Sequence, residues 1–290
     1  MANVRELNRK ISSLRNMQKV MRAMNMIAST KFRKMTYLQE TLPFFKNNIE
    51  RLERDIRASF AGRYGKKRFP EIDGHEKVET VEIVLFSADK GLCGAHNSSV
   101  RKAAALIIEA KRAEGIDAEV TCFGNKGAAF CRRNGYKIYH QTEIGEKTLT
   151  DENLRAIADN LLERFKTGKI QEIHLVYNEF LSTLSQSTTV LQALPFIPPG
   201  ADEKPGAELI TEPESDAFIR QSAKAVFNYK LKTALLNSYI SEHASRMTAM
   251  DNATHNSEDL IFRYSKLRNK ARQTTITNEL IEIVAGKEAM

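Results

Sequence analysis

The sequence predicts an α/β protein in which a long helix at each end of the chain flanks a small domain. Thirteen of the 14 glycines and five of the seven prolines lie between residues 62 and 206, so both ends are almost free of helix-breaking residues. Within that middle part, short apolar runs alternate with helical patterns. We therefore divide the 290 residues into an N-terminal helix over 1–61, an α/β domain over 62–206 and a C-terminal helix over 207–290.

The N-terminal segment has the apolar repeat of a coiled coil. Apolar residues occupy nine of the twelve heptad positions from 4 to 42, the exceptions being Gln18, Asn25 and Gln39. Pro43 is expected to kink this helix without ending it. A second apolar stripe widens the apolar face, so we expect the helix to meet more than one neighbour. That stripe consists of Met17, Val20, Met24 and Ile27.

Between the terminal helices, the pattern predicts a mainly parallel, Rossmann-like α/β domain. Strands and helices alternate along the chain, which is typical of a parallel sheet covered by helices. A short polar linker over 182–187 separates the last two strands, so we expect those two to form an antiparallel hairpin. The predicted strands are 81–87, 119–123, 137–140, 172–180 and 188–194, and the predicted helices are 98–113, 126–134 and 151–165.

The C-terminal segment predicts a second and longer helix. Residues 214–285 contain no glycine or proline, and these 72 residues would form a helix of about 108 Å. Several positions of its apolar repeat carry polar residues, which indicates a helix that packs closely against its partner without being permanently fixed along its whole length. These positions are Ser222, Thr233, His243, Thr254, Ser257 and Arg268.

The net charge of +8 comes entirely from the N-terminal segment. Residues 1–61 hold 13 basic and 5 acidic residues, whereas 62–206 hold 20 of each and 207–290 hold 11 of each. Residues 1–34 carry nine basic residues and a single acid, Glu6. Such a helix fits an acidic partner, which could be nucleic acid, an anionic lipid surface or an acidic protein surface.

Residues 87–97 are the most enzyme-like segment, because they join the first predicted strand to the next helix, where doubly wound folds bind phosphate groups. The segment lacks both GxGxxG and GxxxxGK[ST], and Asn97 or Ser98 is expected to cap the helix. Asp89 and His96 lie too close along one loop for triad geometry with a serine. We interpret the segment as a tight turn and keep a nucleotide-dependent enzyme as an alternative.

Cysteine and histidine spacings predict neither a metal nor a cofactor site. Cys93, Cys122 and Cys131 form no CxxC motif and are expected to be thiols in a reducing compartment. No two of the six histidines have HxxH or HExxH spacing. No apolar run approaches the length of a membrane span, and the N-terminus lacks the apolar region of a secretory signal. We therefore expect no cofactor-binding or metal-binding residues.

Four segments carry a family resemblance. They are RAMNMIASTK at 22–31, SADKGLCGAHN at 87–97, EHASRMTAMDNAT at 242–254 and NKARQTTITNELIEIV at 269–284. Together they resemble the gamma subunits of F-type ATP synthases, and the resemblance covers essentially the whole chain. Ala95 and His96 replace the more usual small or aliphatic residues after the turn.

The resemblance implies a non-catalytic rotor subunit. The two terminal helices would form an antiparallel coiled coil inside a ring of alpha and beta subunits, and the α/β domain would contact the epsilon subunit and the membrane c-ring, through a foot that includes Pro195–Pro213. It also implies peripheral attachment to the cytoplasmic face of a bacterial inner membrane, only through the complex and without nucleic acid. Met24, Arg246, Gln273 and Thr277 resemble shaft contact positions. Lys31, Arg33 and Lys34, which belong to the basic collar on residues 1–34, and Glu279 complete the expected partner contacts.

The expected register follows if the helices begin together near residues 58 and 214. Paired residue numbers would then add to about 272 and place Met24 near residue 248. Residues 272–285 would remain as an unpaired helix, and the collar would find few acidic residues within the chain. The alternative that the residues leave open is a basic coiled-coil protein that binds nucleic acid.

Overall fold

The structure, a computed structural model, describes residues 4–63, 69–145, 151–196 and 216–288. Within its helices, the side chains of 37–47, 50, 54–63, 151, 216–219 and 288 are not described. The predicted foot at Pro195–Pro213 therefore lies outside these residues beyond Phe196. The elements in chain order are α1 (Val4–Arg63), α2 (Pro70–Asp73), β1 (Thr80–Phe86), α3 (His96–Ala113), β2 (Asp117–Phe123), α4 (Asn125–Arg133), β3 (Lys137–Thr142), α5 (Asp151–Lys166), β4 (Glu172–Phe180), β5 (Gln186–Leu194) and α6 (Asp216–Glu288).

Every predicted strand and helix is present, with ends that differ by a few residues. The short helix α2 was not predicted, and α1 continues through Pro43 as one element. The expected cap at Asn97 or Ser98 is wrong. α3 begins at His96, and its N-cap residue Ala95 makes no side-chain cap hydrogen bond. The amide of Asn97 is used elsewhere, because its Oδ1 accepts a hydrogen bond from the Ala88 amide at 2.9 Å.

The five strands form a single sheet in the order β3-β2-β1-β4-β5. Strands β1 to β4 are parallel, and β5 pairs antiparallel with β4, which confirms the predicted hairpin. The chain moves outward from β1 to β3 and then crosses to the other side of β1 to form β4. The strand order therefore reverses between β1 and β4, and the segment 87–97 follows β1 at this reversal.

The two faces of the sheet are covered by different helices. On one face, Ile83 and Leu85 of β1 pack with α3 and α4 residues such as Val100. On the other face, Phe86 stacks on Phe123 with ring centroids 4.7 Å apart and packs with α5 and the first half of α6. Because β1 and β4 are buried on both faces, they read in the sequence as nearly continuous apolar runs.

A buried charged network lies on the face covered by α5. The guanidinium of Arg164 pairs with Glu82 and Glu119, and Thr121 Oγ1 donates a hydrogen bond to Glu82 Oε1 at 2.7 Å. The same guanidinium lies 3.5 Å from the ring centroid of Tyr139. Burial raises the pKa of the Glu82 carboxyl, and the hydrogen bond from Thr121 and the charge of Arg164 oppose that rise. The charge of Arg164 thus offsets part of the free-energy cost of burying the Glu82 carboxylate.

Replacing Arg164 by leucine is expected to lower the free energy of unfolding by about 3–5 kcal/mol, because Glu82 stays buried without its partner. Urea unfolding of the full chain, followed by circular dichroism, measures this change. The exposed Arg155 on the same helix is the control, and its replacement by leucine should change the free energy of unfolding by less than about 0.5 kcal/mol.

The deficit of the Arg164→Leu variant should also shrink as the pH falls. A carboxyl whose folded pKa lies above its unfolded value costs stability above the folded pKa, and this cost disappears below the unfolded value. Removal of Arg164 raises the folded pKa of Glu82 further, since Arg164 lowers it in the native protein. The difference in unfolding free energy between variant and native protein should be smaller at about pH 4 than at about pH 7. A difference that grows on acidification would contradict this account.

Candidate functional site

In the unit formed by Met1–Thr30 and Arg246–Met290, α1 and α6 lie side by side in antiparallel directions. Rising residue numbers on α1 meet falling numbers on α6. The printed contacts along the pair are Arg268 Nη1 to Asn8 Oδ1 at 3.5 Å, Lys10 Nζ at 6.0 Å from the Tyr264 ring centroid, Gln18 Nε2 to Glu258 Oε1 at 2.9 Å, Ser257 Oγ to Met21 Sδ at 3.8 Å and Arg22 Nη2 to Glu258 Oε1 at 2.8 Å.

The register differs from the predicted one by about one helical turn. Paired residue numbers add to 274 for Lys10 and Tyr264 and to 280 for Arg22 and Glu258, instead of 272. The prediction assumed helix ends near 58 and 214, whereas α1 extends to Arg63 and α6 begins at Asp216. Met24 therefore lies at the level of residues near 253 rather than 248.

The seam between the two helices combines apolar residues with small hydroxyl residues. Leu7, Ile11 and Ala28 of α1 are buried, as are Thr254 and Ser257 of α6. Thr254 Oγ1 donates to the Met250 carbonyl at 2.8 Å, and Ser257 Oγ donates to the Ala253 carbonyl at 2.7 Å. Their polar atoms are thus satisfied inside the helix, which is how a seam with polar residues packs without a buried unpaired group.

The residues expected to contact partners lie in both units of the chain. In the helix-pair unit, Met24 is half-buried and Arg246 is buried. Gln273, Thr277 and Glu279 are exposed, and Thr277 Oγ1 donates to the Gln273 carbonyl at 2.9 Å. In the unit Lys31–Ser245, the collar residues Lys31, Arg33 and Lys34 are all exposed.

The last part of α6 has no covering neighbour among the described residues. Thr274 is the last half-buried residue, and every residue from 275 to 287 is exposed. The predicted unpaired end of the helix is therefore present, a few residues later than expected. Exposed apolar side chains on a lone helix indicate a surface that another molecule covers. Those side chains are Ile276 (46% exposed), Leu280 (57%), Ile281 (60%), Ile283 (68%) and Val284 (57%).

A second basic run on α6 was missed in the sequence. Residues 260–278 hold five basic residues and no acid, and the register places them beside the basic start of α1. The net charge summed over residues 207–290 concealed this run, because acidic residues elsewhere in that segment balance its positive charge. A window of about 20 residues would have found it. The run consists of Arg263, Lys266, Arg268, Lys270 and Arg272.

The basic residues of the N-terminal helix meet one acidic residue of α6 that the predicted register did not place beside them. Glu258 Oε1 lies 2.8 Å from Arg22 Nη2 and accepts a second hydrogen bond from Gln18. This pair is exposed to solvent, so its contribution to stability is at most about 1 kcal/mol. Its main effect is to add a directional contact to the register of the two helices.

The segment 87–97 is built as a turn whose polar groups hold the fold together. Asp89 accepts hydrogen bonds from the Asn125 amide at 3.0 Å and from the Ile144 amide at 2.9 Å, and burial raises the pKa of its carboxyl. His96 Nδ1 lies 3.0 Å from Asn178 Nδ2. Asp89 and His96 therefore face different partners, and this geometry supports the interpretation of the segment as a turn.

Metal and membrane sites were sought over the described ranges 4–63, 69–145, 151–196 and 216–288. No group of three or more His, Cys, Asp or Glu residues there could hold a metal ion. No helix within those ranges is long and apolar enough to cross a membrane.

Fold and site together define a class of protein that pairs its two terminal helices and carries a parallel α/β domain between them in the sequence. The family model described as ATP synthase matches residues 3–290. The ATP synthase gamma chain of Syntrophobacter fumaroxidans is 31% identical, covering 100% of this chain and 99% of that one. The gamma chain of Moorella thermoacetica is 34% identical and covers 100% of both chains. This chain belongs to the ATP synthase gamma chain family, which confirms the resemblance of the four segments.

Solved structures support the same fold. The chain resembles one from the rotor of Euglena gracilis mitochondrial ATP synthase with a TM-score of 0.67, 15% identity and coverage of 94% of this chain and 98% of that one. It also resembles a chain from the central stalk and c-ring of Tetrahymena thermophila mitochondrial ATP synthase, with a TM-score of 0.58, 22% identity and coverage of 81% and 99%. The fold is therefore that of these chains.

The register of the helix pair can be tested by cross-linking in a full-length variant whose three native cysteines are replaced by serine. Met21→Cys with Ser257→Cys should form a disulfide under mild oxidation, because these two side chains are in contact. Met21→Cys with Asp251→Cys is the matched control, since it represents the register that adds to 272 and places the residues about 9 Å further apart along the axis. Efficient closure of the control pair would contradict the register.

Proposed function

We propose that this chain is the central rotor subunit of a rotary ATP synthase and transmits torque between the membrane c-ring and the catalytic ring of alpha and beta subunits. The observation that carries the proposal is the match to ATP synthase gamma chains over the whole chain. The similar solved structures are of an ATP synthase rotor and of a central stalk with its c-ring, which supports the proposal. Torque transmission couples ion flow through the membrane to ATP synthesis.

The subunit acts mechanically and has no catalytic residues of its own. The hydrogen bonds of segment 87–97 support this, because the side chains of Asp89 and Asn97 accept backbone hydrogen bonds that hold the turn. ATP is made and hydrolysed in the beta subunits. The chain reaches the cytoplasmic face of a bacterial inner membrane only as part of the complex, and the bacterial sources of the similar gamma chains support that location.

The three segments have different tasks in this proposal. Residues 1–61 and 207–290 form the shaft, and residues 62–206 contact the epsilon subunit and the c-ring. The shaft has no rotational symmetry, so each beta subunit meets a different surface of it at any moment. Different contacts stabilise different conformations of the beta subunits, and rotation therefore changes their nucleotide affinities in turn.

Three features of the helices suit a shaft that must turn. The exposed apolar side chains from Ile276 to Val284 fit an apolar sleeve at the end of the ring. The basic collar and the second basic run supply long-range attraction, which does not require one fixed geometry. Direct contacts with the ring are assigned to Met24, Lys31, Arg33, Lys34, Gln273, Thr277 and Glu279, whereas Arg246 is only 7% exposed and offers little side-chain surface for such a contact.

Hydrogen exchange of the α6 end tests the proposed assembly. In the isolated chain, amides of residues 275–287 should exchange rapidly, because a lone helix without tertiary contacts frays. After assembly with its alpha and beta subunits, the same amides should exchange at least about tenfold more slowly. The amides of β1, buried in both states, are the internal control. Equal exchange of 275–287 in both states, or failure of the subunits to assemble, would contradict the proposal.

The collar is tested by changing Lys31, Arg33 and Lys34 together to glutamate. The isolated chain should stay folded because all three side chains are exposed. In membranes carrying the assembled complex, ATP-driven ion pumping should fall more than ATP hydrolysis. The deficit should depend on salt, because exposed charges are screened beyond about 10 Å at 0.1 M salt. Both activities are measured on the same membranes across a salt series.

A matched control applies the same change of charge to Lys102, Arg133 and Lys169, three exposed residues of the α/β domain. This control should leave the ratio of pumping to hydrolysis closer to that of the native complex. Unchanged coupling of the collar variant at low salt would show that the collar is only a solvated surface. If the isolated native chain bound nucleic acid tightly and the collar variant did not, the nucleic-acid-binding alternative would be favoured.

A further inference from the structure

Two of the three cysteines meet in the core of the α/β domain. Cys122 on β2 and Cys131 on α4 are fully buried, and their sulfur atoms lie 3.8 Å apart. The third cysteine, Cys93, lies in the turn after β1, where Asn97 Nδ2 donates a hydrogen bond to its sulfur at 3.1 Å. The rotor function uses none of these thiols, so the close pair needs a separate explanation.

The approach of the two sulfur atoms is fixed by a tight turn between β2 and α4. Gly124 has a φ of 93°, and a Cβ atom there would lie 2.0 Å from the Ser87 carbonyl oxygen. A Cβ at Gly127 would lie 2.7 Å from Ser87 Oγ, which accepts a hydrogen bond from the Gly127 amide at that same distance of 2.7 Å. The first turn of α4 is therefore seated on the end of β1 with no space for other side chains. This places Cys131 directly over Cys122.

We propose that Cys122 and Cys131 are a modification site, a dithiol that a peroxide oxidises to an intrachain disulfide. A disulfide needs its sulfur atoms about 2.05 Å apart, so the present separation must shorten by about 1.8 Å. That movement has to come from rotation of the two side chains about χ1. The bridge would link β2 to α4 across eight intervening residues.

The two thiols are not equivalent. The Cys122 thiol donates its hydrogen bond to the Cys131 sulfur, which lowers the pKa of Cys131 and raises that of Cys122. The neighbouring Arg132 guanidinium also lowers the pKa of Cys131. Since the thiolate is the nucleophile in thiol chemistry, Cys131 attacks first and Cys122 resolves the product.

The reaction balances in two steps with hydrogen peroxide as the oxidant. The Cys131 thiol first loses its proton, and the thiolate attacks one peroxide oxygen, so that the O–O bond breaks and sulfenic acid and hydroxide form. The proton released from Cys131 converts this hydroxide to the first water molecule. The Cys122 sulfur then attacks the Cys131 sulfur, the S–O bond breaks, and a disulfide and a water molecule form as the thiol proton neutralises hydroxide. Two thiols are oxidised, and one peroxide is reduced to two water molecules.

Burial of both sulfur atoms makes the site slow and selective for small oxidants. Access requires local opening of α4, a helix of nine residues that packs on β2 and β3 and contacts the end of β1. A bulky disulfide reagent should therefore leave the pair untouched in the native protein, whereas hydrogen peroxide should reach it.

The test treats the native full-length chain with millimolar hydrogen peroxide, then denatures it, alkylates the remaining thiols and maps the peptides by mass spectrometry. We expect a loss of 2 Da in the fragment joining residues 122 and 131, no alkylation at either, and reversal by dithiothreitol. Hydrogen exchange of the α4 amides should slow by at least about tenfold after oxidation, because the bridge restricts local opening. Independent over-oxidation of each cysteine, linkage to Cys93, or no reaction at all would overturn the proposal.

Single substitutions separate the two roles. Cys122→Ser should leave Cys131 as a sulfenic acid that dimedone traps, whereas Cys131→Ser should make Cys122 nearly unreactive. Cys93→Ser is the matched control and should form the bridge at the native rate. Equal dimedone labelling of Cys122 and Cys131 in the two single variants would contradict the assigned order of attack. Circular dichroism verifies that each variant is folded, so a loss of reaction reports the chemistry.

Discussion

The burial of the first half of α6 is the interaction on which the larger unit depends. Phe227, Leu231 and Leu235 of this helix are fully buried with residues of α5 and the sheet. Each such side chain contributes roughly 1.5–3 kcal/mol when it is removed from water. Without α6, one face of the central strands β1 and β4 would lose part of its cover, because α5 shares that face with α6 while α3 and α4 lie on the opposite face. A helix of 73 residues is thus required by the α/β domain as well as by the helix pair.

The same helix meets a different requirement in the smaller unit. There the buried α6 residues include Thr254 and Ser257, whose hydroxyl groups bond to their own helix. Large interlocking side chains hold a core in one arrangement, whereas small, internally satisfied side chains let two helices approach closely with fewer deep contacts. The first half of α6 is therefore suited to a fixed core in the larger unit, and the second half is suited to a slender helix pair in the smaller unit. Absence of glycine and proline from 214–285 allows both along one uninterrupted helix.

The sequence predicted the elements well because their signals are local. Apolar runs gave the five strands, the polar linker gave the hairpin, and the absence of glycine and proline gave the long helices. The helix register could not be obtained this way, since it depends on helix ends that pattern alone locates within a few residues. The cap of α3 was missed because Asn97 forms a tertiary contact with Ala88 instead.

Other features were invisible because they join residues that are distant in sequence. Nothing local marks Glu82 and Arg164 as a buried ion pair, and the spacing of Cys122 and Cys131 indicates contact only once the turn at Gly124 is known. The second basic run is visible in the sequence, but it was missed because the net charge was summed over the whole C-terminal segment. Family resemblance supplied the antiparallel pairing, which the contacts between α1 and α6 confirm, and the proposed contact residues.

Observation of rotation in single complexes tests whether this chain is a rotor. A bead can be attached through Leu184→Cys, a residue that is 83% exposed at the β4–β5 hairpin, in the chain without its native cysteines. The chain is assembled with its alpha and beta subunits, and the ring is fixed to a surface. We expect ATP to turn the bead steadily in one direction, with three preferred positions per turn for three beta subunits. ATP hydrolysis by a complex whose bead remains stationary would contradict it.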